Sequence, residues 1–415
     1  MKNLIFIAIA IFAFTSCSTK QKKSNKLRPT GVEFKKETLK RLGSRGDNWC
    51  ITWAKDGSQI VSMDDGNWLD LPGANYHNHL YRIIGESDNF RREDISNYPD
   101  LSAGLDKGAG SWFGYGIVAV DDDLYSVISK TPGTSWSGPF TGIKLLKSSD
   151  NGASWSRINR NGNELLLGAM DSMRNVVNND EMFFLEEYGM AHQKQPAYPF
   201  SFVDFVQEGQ NNRAAKDGFV YIYSPEGAKA NKLTLARVPK NKIGVRDEWQ
   251  YFTNYGKNNK AKWTKDITKR GYVTEFPEKS SKGHYFGWYS WLPSVVWNEG
   301  LGLYIMVNGG TYAGYGMTDS DKDYYDRWMH TETGSLGFWY SENPYGPWEQ
   351  FFYTDYWIVD NEKNRTYQPK LSPKWISQDG TEMTLIWSDA MKNEKGQSHS
   401  VNYIWNQMTI DIVLK

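Results

Sequence analysis

The apolar positions of this chain fall into short runs of four to eight residues, and no long stretch keeps a 3.6-residue period. Such runs occur at 59–62, 116–120, 124–128, 218–223, 232–238, 303–307, 337–340, 383–387 and 408–414. They are rich in Val, Ile, Tyr, Phe and Trp and are bounded by Gly, Asn, Asp and Pro, which predicts strands separated by tight turns. Asp-Gly pairs at 56–57, 65–66, 217–218 and 379–380 each lie beside such a run, where a hairpin needs residues that tolerate positive φ. The pattern predicts an all-β chain.

Weak repeats organise these strands. Trp53-Ala-Lys-Asp56-Gly57 near the start is echoed by Trp375-Ile-Ser-Gln-Asp379-Gly380 near the end. Ser148-Ser-Asp150-Asn-Gly152-Ala-Ser154-Trp155 fits the Asp-box pattern, in which Asp and Gly shape a hairpin tip and Trp plugs it into the sheet. Ser341-Glu-Asn343-Pro-Tyr-Gly346-Pro-Trp348 is a looser version. Repeated four-stranded units with aromatic and Gly signatures predict a single β-propeller over 31–415. At about 45–75 residues per unit, five blades fit best and seven is the second choice. The Asp box shapes a turn and does not itself imply activity.

Residues 1–16 stand apart. Lys2 precedes an apolar run from Leu4 to Phe14, followed by Thr15-Ser16-Cys17. A basic start and an apolar stretch too short to span a bilayer comfortably are features of a secretory signal. Small residues directly before a cysteine resemble the lipobox of bacterial lipoproteins, which implies a lipid-anchored Cys17. Residues 17–30 then form a tether carrying Lys20, Lys22, Lys23, Lys26 and Arg28 and no acid. The expected location is the bacterial cell envelope, at the outer membrane. The second cysteine, Cys50, is left to be a buried thiol.

Composition narrows the function. The whole chain balances 48 Lys+Arg against 48 Asp+Glu, and the body beyond the tether keeps 42 basic against 48 acidic residues. A nucleic-acid binder would carry a basic excess. Two cysteines exclude a disulfide scaffold and a Cys-rich zinc module. Many of the 18 Trp are expected as blade plugs, while Trp and Tyr at 288–291, 312–315 and 324–325 have apolar faces that suit those of sugar rings.

Several stretches resemble secreted bacterial propeller enzymes that degrade polysaccharides. They are Gly46-Asp47-Asn48-Trp49 through Asp64-Asp65-Gly66, Phe205 to Asn211 running into Asp217-Gly-Phe-Val-Tyr221-Ile-Tyr223, Leu235-Ala-Arg237-Val-Pro239, Trp291 to Asn298, and Gly337 to Trp348. One branch of these enzymes comprises endo-D-arabinanase-type glycoside hydrolases and another the ulvan lyases of marine bacteria. Two chemistries follow. In β-elimination at a uronic acid, a base takes the proton alpha to the carboxylate, a cation stabilises the developing charge and an acid protonates the leaving oxygen. Tyr221 and Arg237, sixteen residues apart in successive strand-like runs, resemble the Tyr and Arg pair of the ulvan lyases. The paired upstream His residues of those enzymes are not reproduced. The His candidates are His77 and His79 in Tyr76-His-Asn-His79, and His192 in Gly189-Met-Ala-His192.

In hydrolysis, two carboxylates act as acid and as base or nucleophile. Asp47 with Asp64 or Asp65, flanking the first hairpin, are the candidates, whereas Asp121-Asp122-Asp123 reads as a hairpin tip. Trp288, Trp291 and His284 are expected substrate contacts. His77 and His79, alternating on an extended segment, are expected to point the same way as substrate contacts or metal ligands; no third ligand is visible nearby, and no cofactor or metal is expected beyond a structural ion of unknown type. The sequence thus favours a monomeric, envelope-anchored carbon–oxygen lyase or dehydratase on an anionic glycan such as ulvan. The propeller hydrolase and a non-catalytic glycan-binding lipoprotein are the alternatives. If Cys17 is lipidated, Cys17→Ala releases the protein from the membrane fraction or blocks its maturation, which fractionation and intact-mass measurement would reveal.

Overall fold

The computed structural model describes residues 27–99, 112–130, 140–167, 182–185, 198–225, 231–283, 292–310, 334–360, 365–390 and 402–415. They form five antiparallel sheets in chain order, which is a five-bladed β-propeller. The first blade runs from the axis outward as β2 (Asp47–Trp53), β3 (Gln59–Gly66), β4 (Tyr76–Glu86) and β5 (Asn89–Asp94). The second blade begins with β6 (Trp112–Val120) and continues through β7 (Asp123–Lys130), β8 (Gly142–Ser148), β9 (Trp155–Ile158) and β10 (Glu164–Leu167). The third is built on β11 (Asp204–Phe205), β12 (Phe219–Pro225), β13 (Lys232–Pro239), β14 (Gln250–Tyr255) and β15 (Ala261–Thr264), with β16 (Thr274–Glu275) added to β13. The fourth comprises β17 (Ser294–Asn298), β18 (Leu303–Asn308), β19 (Leu336–Ser341) and β20 (Glu349–Thr354). The fifth combines β21 (Arg365–Ile376), β22 (Glu382–Ala390) and β23 (Trp405–Leu414) with the first strand of the chain, β1 (Pro29–Leu42). All nine apolar runs noted above lie in strands, and the tether expected to end at residue 30 gives way to β1 at Pro29.

Position within a blade explains the burial of each strand. All nine residues of β6 are buried, because an inner strand is covered on both faces by neighbouring blades. Outermost β5 alternates exposed and half-buried residues, with Arg91, Arg92, Glu93 and Asp94 holding a polar edge. Aromatic clusters fill the seams between blades. Between the fifth and first blades Trp68 stacks on Trp405 at 4.8 Å and Trp49 meets Trp405 edge-on at 5.3 Å. Between the first and second, Trp155 packs edge-on against Tyr98 at 5.1 Å.

The turns follow the sequence logic. Asp121 and Asp122 occupy positive φ between paired Val120 and Asp123, so the acidic run is a two-residue hairpin tip. In the Asp box, Asp150 accepts hydrogen bonds from Ser148 Oγ and Ser154 N, both at 2.8 Å, and Trp155 behind it is fully buried. These bonds hold the hairpin without touching the blade's inner end. Asp150→Ala should therefore cost about 1–2 kcal/mol in a urea unfolding titration while leaving activity unchanged.

Candidate active site

All five inner strands run in the same direction along the axis, so the ring has one end where they begin and another where they finish. Asp47 is the first residue of β2 and pairs directly with Asp64 of β3, while Asp65 lies opposite His77 of β4. A bulge between Asp47 and Cys50 gives Asn48 a φ of 51°, and Asp65 has a φ of 48°. Both are residue types that tolerate this left-handed geometry. The bulge and the turn concentrate three carboxylates at the starting end of one hairpin. Gly66 must be glycine here, because a Cβ would fall 1.9 Å from the Arg45 carbonyl oxygen. Beneath the acids lies the seam between the fifth and first blades, where Trp49 Nε1 donates to Ser388 Oγ at 2.8 Å.

Asp47 and Asp64 are each only 2% exposed, and Asp65 is half-buried. Burial, followed by repulsion from Asp65, pushes Asp47 well above the ordinary carboxylate range, against opposing pulls from Tyr403, Arg45 and Asn48. Asp64 is raised by burial and then by both neighbouring acids, with hydrogen bonds from Tyr115 and Asn48 opposing. Burial also raises Asp65, but His77 and Arg45 favour its ionised form. Three acids this close and this dry do not all ionise together. Asp47 and Asp64 are both pushed well up, whereas the rise of Asp65 is opposed by the two basic groups it faces. Asn48 Nδ2 donates to Asp64 Oδ2 at 3.3 Å, while Asp64 Oδ1 is buried with no hydrogen-bond partner among the described residues. Such a polarised carboxyl group is equipped to exchange a proton with a ligand.

The axial interior below is closed by an ion pair. Lys370 Nζ of β21 meets Asp204 Oδ2 of β11 at 2.8 Å, and the Cys50 thiol of β2 points at the same oxygen at 3.5 Å. Three inner strands from the first, third and fifth blades therefore meet across the axis. Cys50 is fully buried and reduced, and burial pushes its thiol up, away from nucleophilic use.

Other sequence candidates lie elsewhere. Tyr221 and Arg237 are directly paired across β12 and β13. The structure does not bring them to the carboxylates. The Tyr221 hydroxyl donates to Asp217 at 2.5 Å, in the connection leaving the finishing end of β11, and its ring is fully buried. Burial and the Asp217 carboxylate hold the phenol far above its usual range. The Arg237 guanidinium is sandwiched between Phe219 and Trp263 at 4.0 and 4.1 Å, with Nε on Gln250. His79 and His77, expected to share a direction, have different partners. His79 Nε2 contacts Asp94 at 2.6 Å and its ring stacks on Tyr76, whereas His77 stacks on Phe113 at 4.6 Å. No group of three His, Cys, Asp or Glu among the described residues is arranged to hold a metal. Cys17, His192, His284, Trp288 and Trp291 lie outside the described residues. Arg45, Tyr115 and Tyr403, which complete the site, were not singled out from the sequence. Arg45 carried only its adjacency to Gly46-Asp47 as a signal, and Tyr403 none.

No family model matches the chain, and no curated protein sequence is significantly similar to it. Solved structures similar to it include a Bacteroides ovatus protein provisionally assigned as a hydrolase, at 13% identity and a TM-score of 0.49 over 89% of this chain and 87% of that one. A thermostable family-43 glycoside hydrolase is 11% identical, with a TM-score of 0.43 over 90% and 94% of the two chains. An α-L-arabinofuranosidase from Podospora anserina, solved with cellotriose, is 8% identical with a TM-score of 0.41 over 89% and 91%. The propeller assignment rests on the sheet topology itself.

The raised acids affect stability in a defined direction. A carboxyl group whose folded pKa exceeds its unfolded value binds a proton on folding, so stability falls as pH climbs from the ordinary carboxylate range through the raised pKa. Asp64→Asn removes that loss. Its melting temperature should match wild type near pH 4 and exceed it by about 2 °C or more at pH 8, read by scanning calorimetry. An equal melting temperature at pH 8 would show that Asp64 is not held protonated.

Proposed function

We propose that the protein is a carbohydrate-active hydrolase that cleaves a glycosidic bond with the carboxylates at the head of β2 and β3. The observation carrying this reading is the register that sets Asp47 against Asp64 and places Asp65 beside them, in surroundings that separate their proton affinities. Hydrolysis of an acetal needs one carboxyl group that gives a proton to the leaving oxygen and one carboxylate that activates water or attacks the anomeric carbon. The buried Asp47–Asp64 pair holds the proton, and Asp65, between Arg45 and His77, supplies the ionised group. Tyr115 and Tyr403, hydrogen-bonded to Asp64 and Asp47, act as positioning residues that fix the carboxyl planes.

Elimination through Tyr221 and Arg237 has less support. A phenol that donates to a carboxylate inside the blade is poorly placed to protonate a sugar oxygen, and the Arg237 guanidinium is held between Phe219 and Trp263 with its Nε on Gln250. The envelope attachment through Cys17 remains part of the proposal and places such an enzyme where extracellular glycans are met.

Screening neutral and acidic plant and algal polysaccharides for new reducing ends, with parallel ultraviolet detection of unsaturated uronates, separates the two chemistries. Reducing ends without unsaturated product support hydrolysis; unsaturated product would replace it with elimination. On the active substrate, Asp65→Asn and Asp47→Asn should each lower kcat by about 10²-fold or more with melting temperatures kept. The wild-type rate should fall at low pH as Asp65 becomes protonated and at high pH as the Asp47–Asp64 pair loses its proton. Full turnover in both variants would remove the carboxylate mechanism.

A further inference from the structure

Arg45 lacks the ion pair that several other arginines make. Arg28, Arg41, Arg82 and Arg91 each pair with a carboxylate, at 2.5, 2.6, 2.8 and 2.9 Å respectively. Arg45 lies near Asp47 and Asp65 and makes no ion pair within 4 Å with any described carboxylate. Only its Nε is committed, donating to the Asp65 carbonyl oxygen at 3.2 Å. The guanidinium lies over the Tyr403 ring at 5.1 Å, which restrains its plane, while its two terminal nitrogens have no hydrogen-bond partner among the described residues. The side chain is exposed although the acids beside it are buried, which places it on the outer side of the cluster.

Its backbone is held from both sides. Asn67 N donates to the Arg45 carbonyl oxygen at 2.9 Å, and Gly46 N donates to the Tyr403 carbonyl oxygen at 3.1 Å. The anchored stem and stacked plane reduce the entropy lost when a ligand engages the free edge. A guanidinium whose open edge carries two parallel N–H groups matches a carboxylate or sulfate, and a neutral hydroxyl uses it less well. A negatively charged ligand would otherwise be repelled by the ionised Asp65 at the partly exposed side of the cluster, so the cation beside it favours such a ligand.

Resting on the hydrolytic reading above, we propose that Arg45 is the specificity-determining residue of this site and that the sugar bound beside the carboxylates is anionic, its charge carried by a carboxylate or a sulfate ester. The competing role for Arg45 is that of a counter-charge to Asp47 and Asp65, which would influence every ligand alike.

Saturation-transfer difference NMR on the detergent-solubilised full chain tests this with D-glucuronate, D-galacturonate and D-galactose 6-sulfate against D-glucose and D-galactose. At least one anionic sugar should bind at least five-fold more tightly than its neutral counterpart. Arg45→Gln should weaken that sugar at least ten-fold with the neutral sugars unchanged, and Arg45→Lys, keeping charge without the fork, should fall between. A uronate response identifies the carboxylate, and a response to the sulfated sugar alone identifies the sulfate. Equal binding of charged and neutral sugars, or an Arg45→Gln variant that binds like wild type, would overturn the proposal. So would a uniform loss across all five sugars, which is the signature of the counter-charge role. The same measurement in Asp47→Asn keeps the two readings apart, because anion preference persists there even though hydrolysis is lost. Retained preference in a protein that releases no reducing ends from any glycan would leave Arg45 recognition standing and remove the hydrolase.

Discussion

A propeller must close on itself, and here the closure is made by the first strand of the chain entering the last blade. β1 pairs antiparallel with β23 from Pro29 opposite Leu414 to Leu42 opposite Trp405. It is interrupted by shifts that let a long strand follow the twist. Lys35 reinforces the join through Glu382 and Asp411, both at 2.8 Å, although such half-exposed pairs contribute little each. The larger contribution comes from the aromatic seam of Trp49, Trp68, Trp405, Tyr81 and Phe90, which is complete only when the first and fifth blades meet. Because Trp49 follows Asp47 by two residues and Tyr403 precedes Trp405 by two, the packing that closes the ring also sets the position of the acids. Fold closure and site geometry are one constraint.

The axis repeats this coupling on a smaller scale. The Lys370–Asp204 pair is nearly inaccessible, at 1% and 5% side-chain exposure, and joins inner strands that share no sheet. Removing either partner would leave an unpaired charge in the interior, which costs far more than an intact buried pair contributes. Its effect is specification: only one rotational arrangement of the blades brings Lys370, Asp204 and Cys50 to a common point. That arrangement also fills the axial interior beside the first blade's inner strand.

How much of this could be read from sequence depends on the range of the interaction. Strands and turns are local, and residues 116–128 show it: two apolar runs around Asp121-Asp122 predict the hairpin that forms. Asp47, Asp64 and Asp65 were visible as acids flanking a hairpin because the pairing partner lies only seventeen residues away. Tyr221 and Arg237 mark the limit. Their spacing correctly implies adjacent strands, but direction along the axis and the hydrogen bond to Asp217 depend on where the blade sits in the ring. The same holds for the His residues, whose partners, Phe113 for His77 and Asp94 with Tyr76 for His79, no alternation along β4 announces. Tyr403 approaches Asp47 across 356 residues of chain, and no local pattern announces it.

The site also opposes the stability that positions it. A ring filled with Trp and Tyr gains from excluding water, yet three carboxylates are held in that dry environment, one of them with an unpaired oxygen. An inert scaffold would replace Asp64 with an amide or an apolar residue and lose nothing in closure, because the tryptophan seam lies below it. The separation of the acids follows from the depth gradient across the hairpin: Asp64 faces other acids and hydroxyls, whereas Asp65, one residue further and turned by its left-handed backbone, faces Arg45 and His77. A single residue of chain thus separates a carboxyl group raised by burial and neighbouring acids from one whose rise His77 and Arg45 oppose, while the register keeps Asp47 opposite Asp64.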